Sequence, residues 1–90
     1  MITLEKAIEI FEKNVQHKMI LNISIWNDKY VFETRDKSLN DDELNWDSTC
    51  EVIDIHTGKF STMDGFNMDY IKNALDINVD LNKINHFKNY

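Results

Sequence analysis

Cys50 and His56 are the thiol and imidazole that stand closest together in the chain, and such a pair is what cysteine hydrolases use for nucleophilic attack. On one strand, a separation of six residues puts both on the same face but roughly 20 Å apart. A dyad needs hydrogen-bond reach, so Cys50 reads as a small, partly buried sheet residue. His17 and His86 read as a helix-end residue and a solvated tail residue. No Cys-x-x-Cys or paired-His spacing offers a zinc site. Asp76-Ile77-Asn78-Val79-Asp80 matches the first oxygen positions of a calcium loop. Its sixth position is Leu81, where Gly is required, and its twelfth is Phe87, where Glu is required. A strand with a polar face explains that run better. Two glycines cannot build a phosphate-cradling loop with its helix. A glycosidase carboxylate pair needs a cleft and one raised pKa, which an exposed loop does not supply. Asn22-Ile23-Ser24 is a glycosylation acceptor only in an exported chain. The expectation is therefore no enzyme, no metal and no cofactor.

Charge is the stronger signal. The formal net charge is −6, from 16 acids and 10 bases. The segments Met1–Arg35 and Ile55–Tyr90 are each balanced, whereas Asp36–Asp54 holds seven acids against Lys37 alone. That segment carries the whole imbalance. A localised negative field disfavours direct contact with nucleic-acid phosphates and favours a basic protein partner. Asp41, Asp42, Glu43, Asp47 and Glu51, with Trp46 as an aromatic anchor, form the expected partner-binding set. The plainer readings are a solvated acidic loop that keeps a small protein soluble, and a Trp46 that begins a strand and packs at the core edge.

The elements that must position these residues follow from periodicity. Over 3–17, Leu4, Ala7, Ile8, Phe11 and Val15 share one helical face, with Thr3 as N-cap and Glu5 in the first turn. Over 19–35, two alternating runs meet at Asn27-Asp28. A two-residue turn there pairs Ile25 with Tyr30, Ile23 with Phe32 and Leu21 with Thr34. Residues 36–48 form an acidic connector in which Ser38 caps a short helical turn containing Leu39 and Leu44. Residues 49–63 read as a second hairpin around Thr57-Gly58, pairing Ile55 with Phe60 and Ile53 with Thr62. Asn67 caps a second helix with Met68, Ile71 and Leu75 on its inner face, and 77–81 reads as a short strand in preference to an extended wrap.

These elements predict an α+β domain over 1–81 with a polar tail over 82–90. Its order is αββββα with an optional short C-terminal strand. Two helices cover one face of a four-stranded antiparallel sheet. The other face, with Trp26, Val31, Val52 and Met63, is expected to be partly open and to be the alternative binding surface. Ninety residues make one small core, and one Cys excludes an internal disulfide. No run reaches the ~20 apolar residues of a membrane span. The N-terminus lacks the basic and apolar stretches of a signal peptide, so a bacterial-type cytoplasmic protein, monomer or homodimer, is expected.

An N-terminal helix, a hairpin and the run Val52-Ile53-Asp54-Ile55-His56-Thr57-Gly58-Lys59-Phe60 resemble the PepSY-type module, in which a strand ends in an Asp-x-x-Thr-Gly-Lys-like turn. The layout over 3–63 is also similar to small bacterial immunity proteins. The resemblance implies a non-catalytic binding or inhibitory role and carries no catalytic residue. The function expected is an acidic inhibitor that occludes a basic site on a toxin, nuclease or other effector. The alternative is an accessory domain that self-associates through the open sheet face or an edge strand.

Overall fold

A computed structural model describes residues 1–36 and 49–81. The chain forms α1 (Leu4–Asn14), β1 (Lys18–Trp26), β2 (Lys29–Asp36), β3 (Thr49–Asp54), β4 (Phe60–Asp64), α2 (Met68–Asn73) and β5 (Leu75–Asp76). The architecture is α+β. All strand pairs are antiparallel, and the order across the sheet is β4-β3-β2-β1-β5. Among the described residues the sheet thus has five strands, where four and an optional fifth were expected. The connector over 37–48, with its capped turn, and the tail over 82–90 lie outside the described residues.

α1 begins where the sequence places it, because the Thr3 side chain accepts the Lys6 backbone N–H. It ends at Asn14, and Val15 caps it in an extended conformation. Ala7, Phe11 and Val15 are buried against Ile20, Ile23, Phe32, Ile53 and Ile55, and Phe11 stacks on Phe32 with ring centroids 4.9 Å apart. Ile25, expected in this face, stays partly exposed beside the hairpin turn.

The β1–β2 turn is as expected. Asn27 and Asp28 both have positive φ, 50° and 58°, the geometry of a two-residue turn whose twist matches the strands. Ile25 opposes Tyr30 and Ile23 opposes Phe32. Beyond them the register shifts: Asn22 opposes Glu33, but Ile20, not Leu21, opposes Thr34. A bulge at Leu21 takes up the extra residue. Ile20 is consequently 1% exposed and Leu21 50%.

The β3–β4 connection also differs from the expected two-residue turn. Ile53, not Ile55, opposes Phe60, and Glu51 opposes Thr62. Asp54 accounts for the longer loop. Its carboxylate accepts the N–H groups of His56 and Thr57, and its backbone pairs with Lys59 and Gly58. The shift is two residues, so every side chain keeps its expected face. Gly58 takes φ +75°, the left-handed region that glycine adopts freely, and a Cβ there would also meet Ile10 at 3.4 Å.

The main correction concerns the second face. α2 does not join α1; its buried Tyr70 packs with Val31, Cys50 and Val52, which point away from the α1 side. The helix shows the sheet Tyr70, while Met68 and Ile71, expected inside, are exposed, as is Leu75 just beyond it. Tyr70 is favoured because it is the side chain of this segment that can fill the apolar gap and also meet the polar groups beneath it. The final strand forms at Leu75–Asp76, against Ile25 and Ser24, not over 77–81. Residues 77–81 instead wrap round the edge of β1: Ile77 N–H donates to Ile23 C=O, and Ile77, Val79 and Leu81 pack against the α1-side core.

Candidate functional site

Tyr70 is the centre of the α2 side. Asn67 starts the helix by accepting the N–H groups of Asp69 and Tyr70, which sets Tyr70 one turn in and over the sheet. The Tyr70 hydroxyl donates to Glu33 Oε1 at 2.5 Å. Ser24 Oγ lies 3.3 Å from the same hydroxyl oxygen. Since the single phenolic proton goes to Glu33, the Ser24 hydroxyl is the donor to Tyr70. Burial, followed by the bond to Glu33, pushes the Tyr70 pKa well above that of an ordinary tyrosine. Trp26 meets the Tyr70 ring edge-on, centroids 5.9 Å apart, and its Nε1–H donates to Asp69 Oδ2 at 2.8 Å. One helix is thus fastened to two strands through Tyr70 and Asp69.

Beside this fastening lies a cavity of about 220 Å³, lined by Glu33, Gly65, Tyr70, Ile71, Ala74 and Asp76. It falls below the roughly 300 Å³ at which small-molecule sites begin, and suits a single inserted side chain. Asp76 Oδ1 accepts Asn22 Nδ2–H at 2.9 Å. Outside the cavity, Phe66, Met68, Ile71 and Leu75 are each more than half exposed. From Asp64 to Asp80 the chain holds four acids against Lys72 alone.

The expected site residues fare unequally. Asp41, Asp42, Glu43, Trp46 and Asp47 lie outside the described residues. Glu51 is 3% exposed and cannot meet a partner. It faces the α1 side, where Lys18 Nζ sits 2.8 Å from Oε1 and the Thr34 hydroxyl donates to Oε2 at 2.6 Å. Its charge is balanced internally. Of the alternative surface, Val31 is 0% and Val52 2% exposed, while Trp26 and Met63 are partly buried around the same cluster. Tyr70 covers what was expected to be an open face.

Cys50 belongs to that covered cluster. Burial first, then the charges of Glu33, Glu51 and Asp64, push its thiol up to about 11. His56 is exposed beyond the far end of β3, 3.7 Å from Asp28 across the two turns. The structure does not bring Cys50 and His56 together. The Asp54 carboxylate sits below the usual carboxylate range because the N–H groups of Thr57 and His56 point at it. The Asp-x-x-Thr-Gly-Lys run is therefore a loop-shaping device, with Thr57 Oγ1 also accepting Lys59 N–H. Among the described residues no group of three or more His, Cys, Asp or Glu is placed to hold a metal ion, and no helix is long and apolar enough to cross a membrane.

Sequence reasoning missed Tyr70, Glu33, Asp69 and Asp76. One signal was available: Tyr70 and Ala74 are four apart and define a helical stripe that competes with Met68, Ile71 and Leu75. Comparison with family models, with curated proteins and with solved structures finds no match.

Proposed function

We propose that this protein is a non-catalytic acidic binding protein, an inhibitor of the immunity or anti-defence kind that occludes a basic site on a partner protein. The observation that carries the reading is the charge distribution: Asp36–Asp54 holds seven acids against Lys37, and the rest of the chain is balanced. Two of those acids have structural tasks, since Glu51 is paired inside the fold and Asp54 shapes its loop. Asp41, Asp42, Glu43 and Asp47 remain the steering residues of the reading, with Trp46 as its anchor. The protonated, buried Cys50 supports a role without nucleophilic chemistry. The resemblance to PepSY-type and immunity-type modules points the same way.

The test is capture of a partner from the native host, followed by association kinetics with the variant Asp41→Asn/Asp42→Asn/Glu43→Gln/Asp47→Asn. Its on-rate should fall by about tenfold or more at low salt, with a flatter salt dependence. An unchanged on-rate and salt slope would leave the segment as a solubilising loop.

The accessory-domain reading keeps one observation in its favour. β4 is an edge strand with Ser61 and Thr62 exposed, and such an edge can pair with a second copy. Concentration-dependent mass in sedimentation, abolished by Thr62→Pro, would support it over the inhibitor reading.

A further inference from the structure

On the reading that this chain binds a basic partner, we propose that the outer side of α2 is a second contact surface, which takes an arginine side chain of the partner flanked by apolar residues. Three observations converge there. The first is apolar exposure. Phe66, Met68, Ile71 and Leu75 fall within ten residues of sequence and all face solvent, Met68 and Ile71 because Tyr70 occupies the inner side of the helix. Exposed apolar groups gathered in one short stretch of chain and rimmed by charge mark an interaction surface.

The second is the cavity beside Ile71. Its walls are apolar at Ile71 and Ala74 and acidic at Glu33 and Asp76. Glu33 uses one oxygen for Tyr70, and Asp76 uses one for Asn22. Among the described residues the second oxygen of each carboxylate takes no hydrogen bond. An arginine matches this arrangement, with an apolar stem for Ile71 and Ala74 and several planar donors for the carboxylate oxygens.

The third is charge. A neutral apolar segment docked on this side would strip water from Glu33, Asp69 and Asp76 without replacing it, whereas a cation satisfies them. Lys72 is the lone base between Asp64 and Asp80, and Arg35, next along the Glu33 face of β2, already has a partner of its own. A second copy is a poor occupant, because Arg35 is the chain's single arginine.

The probe is a capped tripeptide, acetyl-Leu-Arg-Leu-amide, titrated into the full-length ¹⁵N-labelled protein, with Lys, Gln and Glu versions as controls. The expected result is amide shifts confined to Gly65, Ile71, Ala74, Asp76 and their neighbours. Affinity should run Arg above Lys, above Gln, with Glu weakest. Asp76→Asn and Glu33→Gln should each weaken the Arg peptide about two- to fivefold and leave the Gln peptide unchanged. Ile71→Ser should weaken every peptide. Asp76 and Ile71 are exposed, so their variants should keep the wild-type melting curve. Shifts elsewhere, no shifts at all, equal binding of Arg and Gln peptides, or shifts on simple dilution that reveal a second copy would each overturn the proposal. The variant lacking Asp41, Asp42, Glu43 and Asp47 charges should bind the peptide normally. If it loses its partner while the wild type fails to bind the peptide, the acidic-segment reading stands and this inference falls.

Discussion

Cys50 is held as a thiol by its surroundings, and the consequence is measurable. Its pKa rises from an ordinary 9.0 to about 11, chiefly through burial. A thiol with a higher pKa folded than unfolded lends stability that is complete below the unfolded value. That stability is lost as pH climbs from about 9 through about 11. Wild-type protein should therefore melt at progressively lower temperature across that window, and Cys50→Ala should show a shallower fall. Tyr70 begins its own loss one unit higher, near the ordinary tyrosine value of 10.0, so the lower part of the window belongs to Cys50. Identical pH profiles for the two proteins between 9 and 10 would remove the burial argument.

At the scale of the element, β1 carries the most consequential irregularity. Ile20 and Leu21 are adjacent, similar in size and equally apolar, yet the bulge sends one into the core and the other into solvent. Ile20→Ala should cost about 2–5 kcal/mol, the range for a buried aliphatic truncation. Leu21→Ala should cost less than about 0.5 kcal/mol, as for an exposed position. Denaturant melts of the two variants decide the register. A regular ladder with Leu21 opposite Thr34 demands the reverse order.

At the scale of the whole molecule, the described residues form two unequal layers on one sheet, and the thin layer depends on a few polar contacts. The α1 side buries Phe11, Phe32, Ile20, Ile23 and Ile53 and is held by area. The α2 side is a helix of six residues fastened by Tyr70 and by the Trp26–Asp69 bond. Tyr70→Phe keeps the ring and removes the hydroxyl, leaving Glu33 and Ser24 without it. The expected loss is about 1–3 kcal/mol, the cost of unpairing the buried Ser24 hydroxyl and the half-buried Glu33 carboxylate. Amide exchange should speed up in α2 and β5 more than in α1, since the α1-side core is untouched. Uniform exchange throughout the chain would mean that the two layers open as one.

Sequence alone determined the parts of this protein that depend on neighbours along the chain. The Thr3 and Asn67 caps, the positive-φ turn at Asn27-Asp28, the geometric need at Gly58 and the inward face of Ile23, Phe32, Ile53 and Ile55 all follow from local chemistry and from period-two or helical spacing. The charge concentration in Asp36–Asp54 is equally a property of sequence. Tertiary structure decided the bulge at Leu21, the side of the sheet that α2 covers and the fate of Glu51. It also decided the meeting of Tyr70 with Glu33, 37 residues apart. Periodicity says which residues share a face but not which face a later helix chooses. A short helix with apolar groups on both sides is assigned by the surface that fits it best. Here that surface held a buried Ser24 hydroxyl and a half-buried Glu33 carboxylate that a tyrosine hydroxyl can meet together, and so the apolar stripe read as core was left facing water.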